Sequence, residues 1–313
     1  MNKLHPTFRQ MLHDGRFYAV LSAAGFSLKA IFVKLAYGAT TVDALTLLAL
    51  RMGIALPFFG GLILLSKKAH TPPIERQDAF KILLLGMTGY YLSSLFDFYG
   101  LEYVSAGMER LILYVYPSLV LIFQALTQRA YPKKGTVHAM LVCYLGLGIA
   151  FFHDAGAGHA NAKLWIGAAW VFASAVTYAL YYLGTGAMVK RLGSMRLAGW
   201  AGAASSMLVL AHYGLTRDLH ELTHIPSAVW WYAFLMALIS TVLPVYWMAI
   251  AIQRMGAAQA AAIGNLGPVL TLFAAWAVLG EIISVYQVIG LILVLLGISK
   301  LKGPSSTSVV SAS

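Results

Sequence analysis

A chain of 313 residues that is 60% hydrophobic and 11% charged, with mean hydropathy +0.75, is too apolar for a water-soluble globular domain. Such a domain carries about 25% charged residues. The net charge of +11 raises nucleic acid as a partner, which the placement of the basic residues argues against below, and the single cysteine, Cys143, excludes a disulfide framework or a thiolate metal site within one chain.

Residues 1–16 are polar and basic, a lead-in expected on the cytoplasmic side. The apolar run that follows continues too long for the core of a cleavable signal. A bilayer core takes about 20 apolar residues per helical span. Ten runs meet that length, roughly 17–37, 43–65, 81–101, 104–127, 134–153, 164–188, 197–215, 228–251, 257–279 and 283–301. In lipid every backbone polar group has to bond internally, so spans of this length are helices. The expected fold is an all-α polytopic membrane protein of ten transmembrane helices. Residues 154–163 form an outer linker, and 303–313, small and polar, form a disordered cytoplasmic tail.

Two stretches centred on proline match 151 positions apart. Ser105-Ala106-Gly107 leads to Pro117 and Leu145-Gly146, and Gly256-Ala257-Ala258 leads to Pro268 and Leu296-Gly297. The same offset pairs Gly100 with Ala251 and Phe96 with Trp247. The chain therefore divides into a first repeat, 17–153, and a second, 164–302, of five spans each. With the N-terminus inside, sixteen of the 22 lysines and arginines fall on cytoplasmic segments, and only Lys163 and Arg217 on outer loops. That bias places both termini in the cytoplasm of a plasma membrane, bacterial inner membrane by expectation. It assigns the basic residues to topology rather than to nucleic acid. Five spans is an odd number, so the halves enter the membrane inverted. Arg129, Lys133 and Lys134 follow span four, whereas Glu281 follows span nine. Opposite charge on equivalent loops agrees with inversion.

Pro117 and Pro268 lie near half depth in spans four and nine. Each removes one backbone bond and frees the carbonyl four residues earlier, at Leu113 or Gly264. Gly264, Gly267 and the two prolines are thus either packing kinks or hinges beside a cavity. The stretch Ala260 to Leu301, with Pro268, Gly280-Glu281, Gly290 and Gly297, resembles the second repeat of the EamA family of drug/metabolite transporters. The first repeat follows the same plan through Pro117 and Gly146, but has Gln128-Arg129 where the second has Leu279-Gly280. Aromatic richness is similar to that of the YddG-type aromatic amino-acid exporters within the family. The resemblance implies ten helices, a central cavity between the halves and export of small metabolites.

Ionisable residues at depth in a membrane are functional candidates. Lys29, Arg51, Asp97, Glu109 and Arg110, with Lys34 near a span end, all lie in the first half, and spans six to ten hold none between their ends. By helical rise, Lys29, Asp97, Glu109 and Arg110 share one level in the outer half of the membrane. Tyr90, Ser93 and Ser94 extend the face of Asp97. Glu109 and Arg110 are about 100° apart on their helix, so one is expected to face the cavity and the other a neighbouring helix. Lys34 and Arg51 are expected to snorkel or to pair at the surface. The cluster either locks helices as permanent ion pairs or binds substrate. In the second case cations hold a carboxylate and anions an ammonium group, which suits an amino acid. Tyr178, Tyr181, Tyr182 and Thr185 recur at helical spacing on span six, and Tyr99 lies on span three. Tyr178, Tyr182, Trp247 and Asn265 have the depth to line a central pocket for a large or aromatic side chain, unless they merely pack helices.

Other chemistry is not encoded. There is no Walker sequence, no third glycine at dinucleotide spacing and no nucleophile elbow around Ser205-Ser206. The nine histidines show no metal-protease spacing. Neither cofactor nor metal is expected. The expected function is a secondary exporter of amino acids working by alternating access, its partners being a small-molecule substrate and membrane lipid. A sugar-phosphate or other metabolite carrier of the same plan is the second reading; a passive pore or an intramembrane enzyme is the third.

Overall fold

The computed structural model describes residues 14–66, 73–127, 134–154, 162–255, 260, 263–264 and 266–300. The N-terminal lead-in up to residue 13, most of the 154–163 linker, the tail and Asn265 lie outside the described residues. The helices in chain order are α1 Gly15–Ala39, α2 Ala44–Leu65, α3 Arg76–Leu101, α4 Ala106–Thr127 and α5 Lys134–Asp154. They continue as α6 Ala162–Leu192, α7 Ser194–Thr216, α8 Ser227–Met255, α9 Gly267–Leu279 and α10 Val285–Lys300. No strand occurs among the described residues. Six helices, α1 to α4, α6 and α8, are long and apolar enough to cross a membrane, whereas the apolar stretches of α5, α9 and α10 are shorter.

Polar residues at the chain reversals start the helices. Asp43 accepts the backbone N–H groups of Leu45 and Thr46 at the head of α2, and Ser105 accepts that of Met108 at the head of α4. Each cap satisfies donors that have no partner inside the first turn. Ion pairs tie helix ends together. Arg217, after α7, reaches Asp43 at 3.4 Å, and Arg191 near the end of α6 reaches Glu75 at 2.6 Å and Asp78 at 2.9 Å beside the start of α3.

The packing has a two-fold pattern. Helix α5 packs on α10, α2 on α7 and α4 on α9, while α1 packs on α8 and α3 on α6. Exchanging each helix for the one five places on leaves this set of pairs unchanged. The backbones of α5 and α10 approach each other at glycines on both helices. A Cβ added at Gly290 would lie 2.5 Å from the Gly146 carbonyl oxygen, and one at Gly146 would lie 2.6 Å from the Gly290 carbonyl oxygen. Only glycine permits backbones to approach so closely.

Local irregularities follow the 151-residue offset as well. Helix α4 is interrupted at Tyr114 and Val115 and restarts at Tyr116, with Pro117 as its second residue; α9 starts at Gly267, with Pro268 second. Helices α3 and α8 each contain a wider π turn, Gly86–Leu92 and Leu238–Val242. The second of these runs up to Pro244, which has no N–H to continue the regular ladder. Two irregularities have no counterpart among the described residues: α9 ends in a further π turn, Ala275–Leu279, where α4 is regular through Thr127, and α1 is broken. Helix α1 breaks at Leu28 between Gly15–Ser27 and Lys29–Ala39, whereas α6 runs unbroken.

Candidate substrate site

Polar side chains converge on the break in α1. The single Ser27 hydroxyl proton is shared between the Ala23 carbonyl within its own helix, at 2.6 Å, and the Gly267 carbonyl of α9, at 2.9 Å. Such back-bonding competes with the helical ladder and bends it. The carbonyls released at the break are taken up from other helices. Thr271 of α9 donates to the Ser27 carbonyl at 3.2 Å, and Arg110 of α4 donates to the Phe26 carbonyl at 3.0 Å. The carbonyl that Pro268 frees at Gly264 accepts a hydrogen bond from the Tyr114 hydroxyl at 2.8 Å, so the interruptions of α4 and α9 are stitched to each other.

Lys29 is the first residue after the break. Its ammonium lies 2.6 Å from Asp97 Oδ2 on α3 and 3.5 Å from Glu109 Oε1 on α4, and Arg110 Nε lies 3.8 Å from Glu109 Oε2. The carboxylates are sealed, Asp97 at 1% exposed and Glu109 at 0%, while the Lys29 side chain keeps 14%. The four residues that the sequence placed at one level therefore form one contiguous group of two cations and two anions. The expectation that one of Glu109 and Arg110 faces the cavity and the other a neighbouring helix is corrected. Both reach α1, because long side chains sweep across the 100° between adjacent positions.

Arg51 requires a second correction. It neither snorkels nor pairs at the surface: it is 4% exposed, donates from Nε to Thr241 Oγ1 of α8 at 2.9 Å, and approaches Ser94 Oγ of α3 at 3.5 Å. Its guanidinium carbon lies 5.5 Å from the centre of the Phe98 ring. The face of Asp97 is less uniform than the sequence spacing implied, since Ser93 turns to Ser174 of α6 while Ser94 turns to Arg51. Ser93 and Ser94 both follow the π turn and lie about 100° apart on the regular helix that carries Asp97, so they flank its face on opposite sides.

The aromatic residues form a ladder. Tyr90 of α3 meets Tyr181 of α6 ring to ring at 5.4 Å and hydroxyl to hydroxyl at 3.3 Å. Tyr181 stacks on Tyr178 at 5.9 Å, and Tyr116 of α4 lies 5.0 Å from both Tyr178 and Tyr182 and 6.0 Å from Tyr114. Tyr114 follows Arg110 by one turn, so this end of the ladder adjoins the charged group. Tyr90 at the other end touches Phe59, two turns along α2 from Arg51. The structure thus unites Lys29, Tyr90, Asp97, Glu109, Arg110, Tyr178 and Tyr182, and adds Tyr114, Tyr116, Tyr181 and Arg51. It does not unite all the expected residues. Tyr99 packs on Trp170 at 5.3 Å, and Trp247, half-buried on α8, makes no ring contact with the ladder.

The Gly-Glu pair at 280–281 has a separate role. Gly280 adopts φ +67°, a left-handed conformation that ends α9. The turn delivers Glu281 onto the head of α4, where its carboxylate accepts the N–H groups of Ala106 at 2.9 Å and Gly107 at 3.3 Å. A carboxylate there neutralises the positive end of the helix dipole. Glu281→Ala is expected to lose about 1–2 kcal/mol of stability, checked by thermal unfolding in detergent, with Glu281→Gln losing less.

An apolar helical bundle with six helices long and apolar enough to cross a membrane is that of a multi-pass membrane protein, and its seam carries ion pairs and tyrosines. The chain matches the EamA-like transporter family over residues 14–152 and 165–301 and belongs to that family. It is 30% identical over 283 residues to the uncharacterized transporter YcbK of Bacillus subtilis strain 168, covering 88% of each chain. It is 26% identical over 228 residues to the uncharacterized transporter YyaM of the same organism, covering 73% of this chain and 74% of that one. One crystal structure superposes with TM-score 0.62 at 16% identity over 91% of this chain and 94% of that chain, a likeness of fold alone.

Proposed function

We propose that this transporter exports amino acids, large and aromatic ones among them, across the plasma membrane by alternating access. In this reading α1–α5 and α6–α10 are inverted five-helix repeats, with both termini in the cytoplasm. The observation that carries the substrate class is the junction of a buried two-sign charge group, Lys29, Asp97, Glu109 and Arg110, with a ladder of tyrosines. Charges of both signs suit the ammonium and carboxylate of a zwitterion, and ring faces suit its side chain. A cation exporter has no use for buried cations, and a phosphate carrier has none for buried carboxylates.

Inversion is supported by the packing, which is unchanged by exchange of the halves, and by Glu281. The α9–α10 turn sits on the head of α4, while the α4–α5 connection leaves from its other end. A 22-residue helix separates those ends by about 33 Å, the thickness of a bilayer core. Alternating access requires the two halves to rock about the seam, and the interruptions of α1, α4 and α9 lie on it.

Uptake into proteoliposomes of tryptophan, phenylalanine, a sugar phosphate and a cationic dye tests the reading. Saturable uptake of the amino acids is expected. Uptake of phosphate or dye alone rejects amino-acid export, and unsaturable flux of all of them indicates a pore.

A further inference from the structure

We infer that Arg51, rather than Lys29 or Arg110, holds the carboxylate of the transported solute, in a subsite completed by Thr241 and Ser94. The inference rests on the reading that the substrate carries a carboxylate, and deepens it. Lys29 and Arg110 each have a carboxylate within 4.0 Å, whereas Arg51 has none among the described residues. Buried charges are paired, because an isolated one forfeits its hydration with no return. Two hydroxyls and the edge of a ring solvate a guanidinium incompletely, and the planar fork of arginine matches a carboxylate in two parallel hydrogen bonds. Arg51 and Arg110 are the buried cations beside the buried carboxylates Asp97 and Glu109, and of the two only Arg51 has no carboxylate within 4.0 Å among the described residues.

The surroundings fit an amino acid in particular. Asp97, one turn beyond Ser94 on α3, pairs with Lys29 through Oδ2 at 2.6 Å, and the same carboxylate stands beside the proposed subsite, where a substrate ammonium group would take over from Lys29. Tyr90 begins the aromatic ladder on the same helix, one turn before Ser94, and leads away toward Tyr181 and Tyr178. The subsite also spans the seam. Arg51 and Ser94 belong to the first half and Thr241 to the π turn of α8 in the second, so a carboxylate bound there touches both moving parts.

Proteoliposome uptake of tryptophan, competed with tryptophan amide, separates the possibilities, because the amide keeps the ring and the ammonium group but lacks the carboxylate. The wild-type protein is expected to ignore the amide at tenfold excess. Arg51→Met is expected to raise the tryptophan KM about tenfold or more, the effect of losing a charge-assisted hydrogen bond. It should also bring tryptophan and its amide within about twofold of each other, with Arg51→Lys between the two proteins. Thr241→Val, which frees the guanidinium to turn, should raise KM about threefold and serves if Arg51→Met does not fold. Wild-type tryptophan transport that is inhibited equally by the amide, or a tryptophan KM that stays unchanged in the Arg51 and Thr241 variants, overturns the assignment and leaves amino-acid export standing. Failure of the wild-type protein to carry any amino acid overturns both.

Discussion

Lys29→Met is expected to lose about 3–5 kcal/mol of stability, the cost of stranding a buried charge when its partner is removed, and to abolish transport. The variant leaves Asp97 and Glu109, 1% and 0% exposed, to share Arg110, which already spends one donor on the Phe26 carbonyl. Neither carboxylate can recover hydration without opening the crossing of α1 with α4. The loss should be largely reversed by a compensating change. Lys29→Met with Asp97→Asn again balances the group, now as the single pair Glu109–Arg110, and is expected to regain more than half of the lost stability. Transport should not return, since Asp97 is the proposed partner of the substrate ammonium. Thermal unfolding of the three proteins in one detergent, beside tryptophan uptake, checks both halves of the statement. Recovery of uptake together with stability would reduce the group to a structural lock.

Gly290→Leu is expected to cost about 3 kcal/mol or more by overpacking and to leave little folded protein in the membrane. The atom in the way is the Gly146 carbonyl oxygen, which belongs to a helix backbone and cannot rotate aside. Separation of α5 from α10 is the only relief, and it opens the whole crossing of these two helices, where Gly297 also packs directly against Cys143. The substitution lies outside the charged site, so folded protein recovered at low temperature should retain its tryptophan KM. Gly148→Leu on α5, where an added Cβ would meet only Phe152 at 3.9 Å, is the control and should be tolerated.

Much of this arrangement is legible in the amino-acid chain because lipid removes alternatives. Apolar runs have to be helices, and charged residues within them have to find each other, so Lys29, Asp97, Glu109 and Arg110 could be grouped from depth alone. Depth does not give direction. The partner of Arg51 is not legible, because its neighbours in sequence, Leu50 and Met52, say nothing about Thr241, which lies 190 positions away. Ser93 and Ser94 lie about 100° apart, on either side of Asp97, and spacing alone does not say which neighbouring helix each one meets; the π turn at Leu238–Val242 is hinted at by Pro244. The break at Leu28 carries neither proline nor glycine and arises from hydrogen bonds that Ser27, Thr271 and Arg110 make across three helices. Tyr116 and Tyr181 were visible as tyrosines, but their place in the ladder depends on how α4 crosses α6.

The account stands on two halves inserted in opposite senses around a shared seam, and side-specific labelling tests this most directly. Cys143 is buried and shielded from a membrane-impermeant thiol reagent, so single cysteines can be added to the otherwise native chain. Lys134→Cys at the start of α5 and Ile282→Cys, where the side chain is 90% exposed after α9, occupy the equivalent connections of the two repeats. In intact cells Ile282→Cys should react and Lys134→Cys should react only after the membrane is opened. Labelling of both from the same face of the membrane would contradict the inverted arrangement and the site built on it.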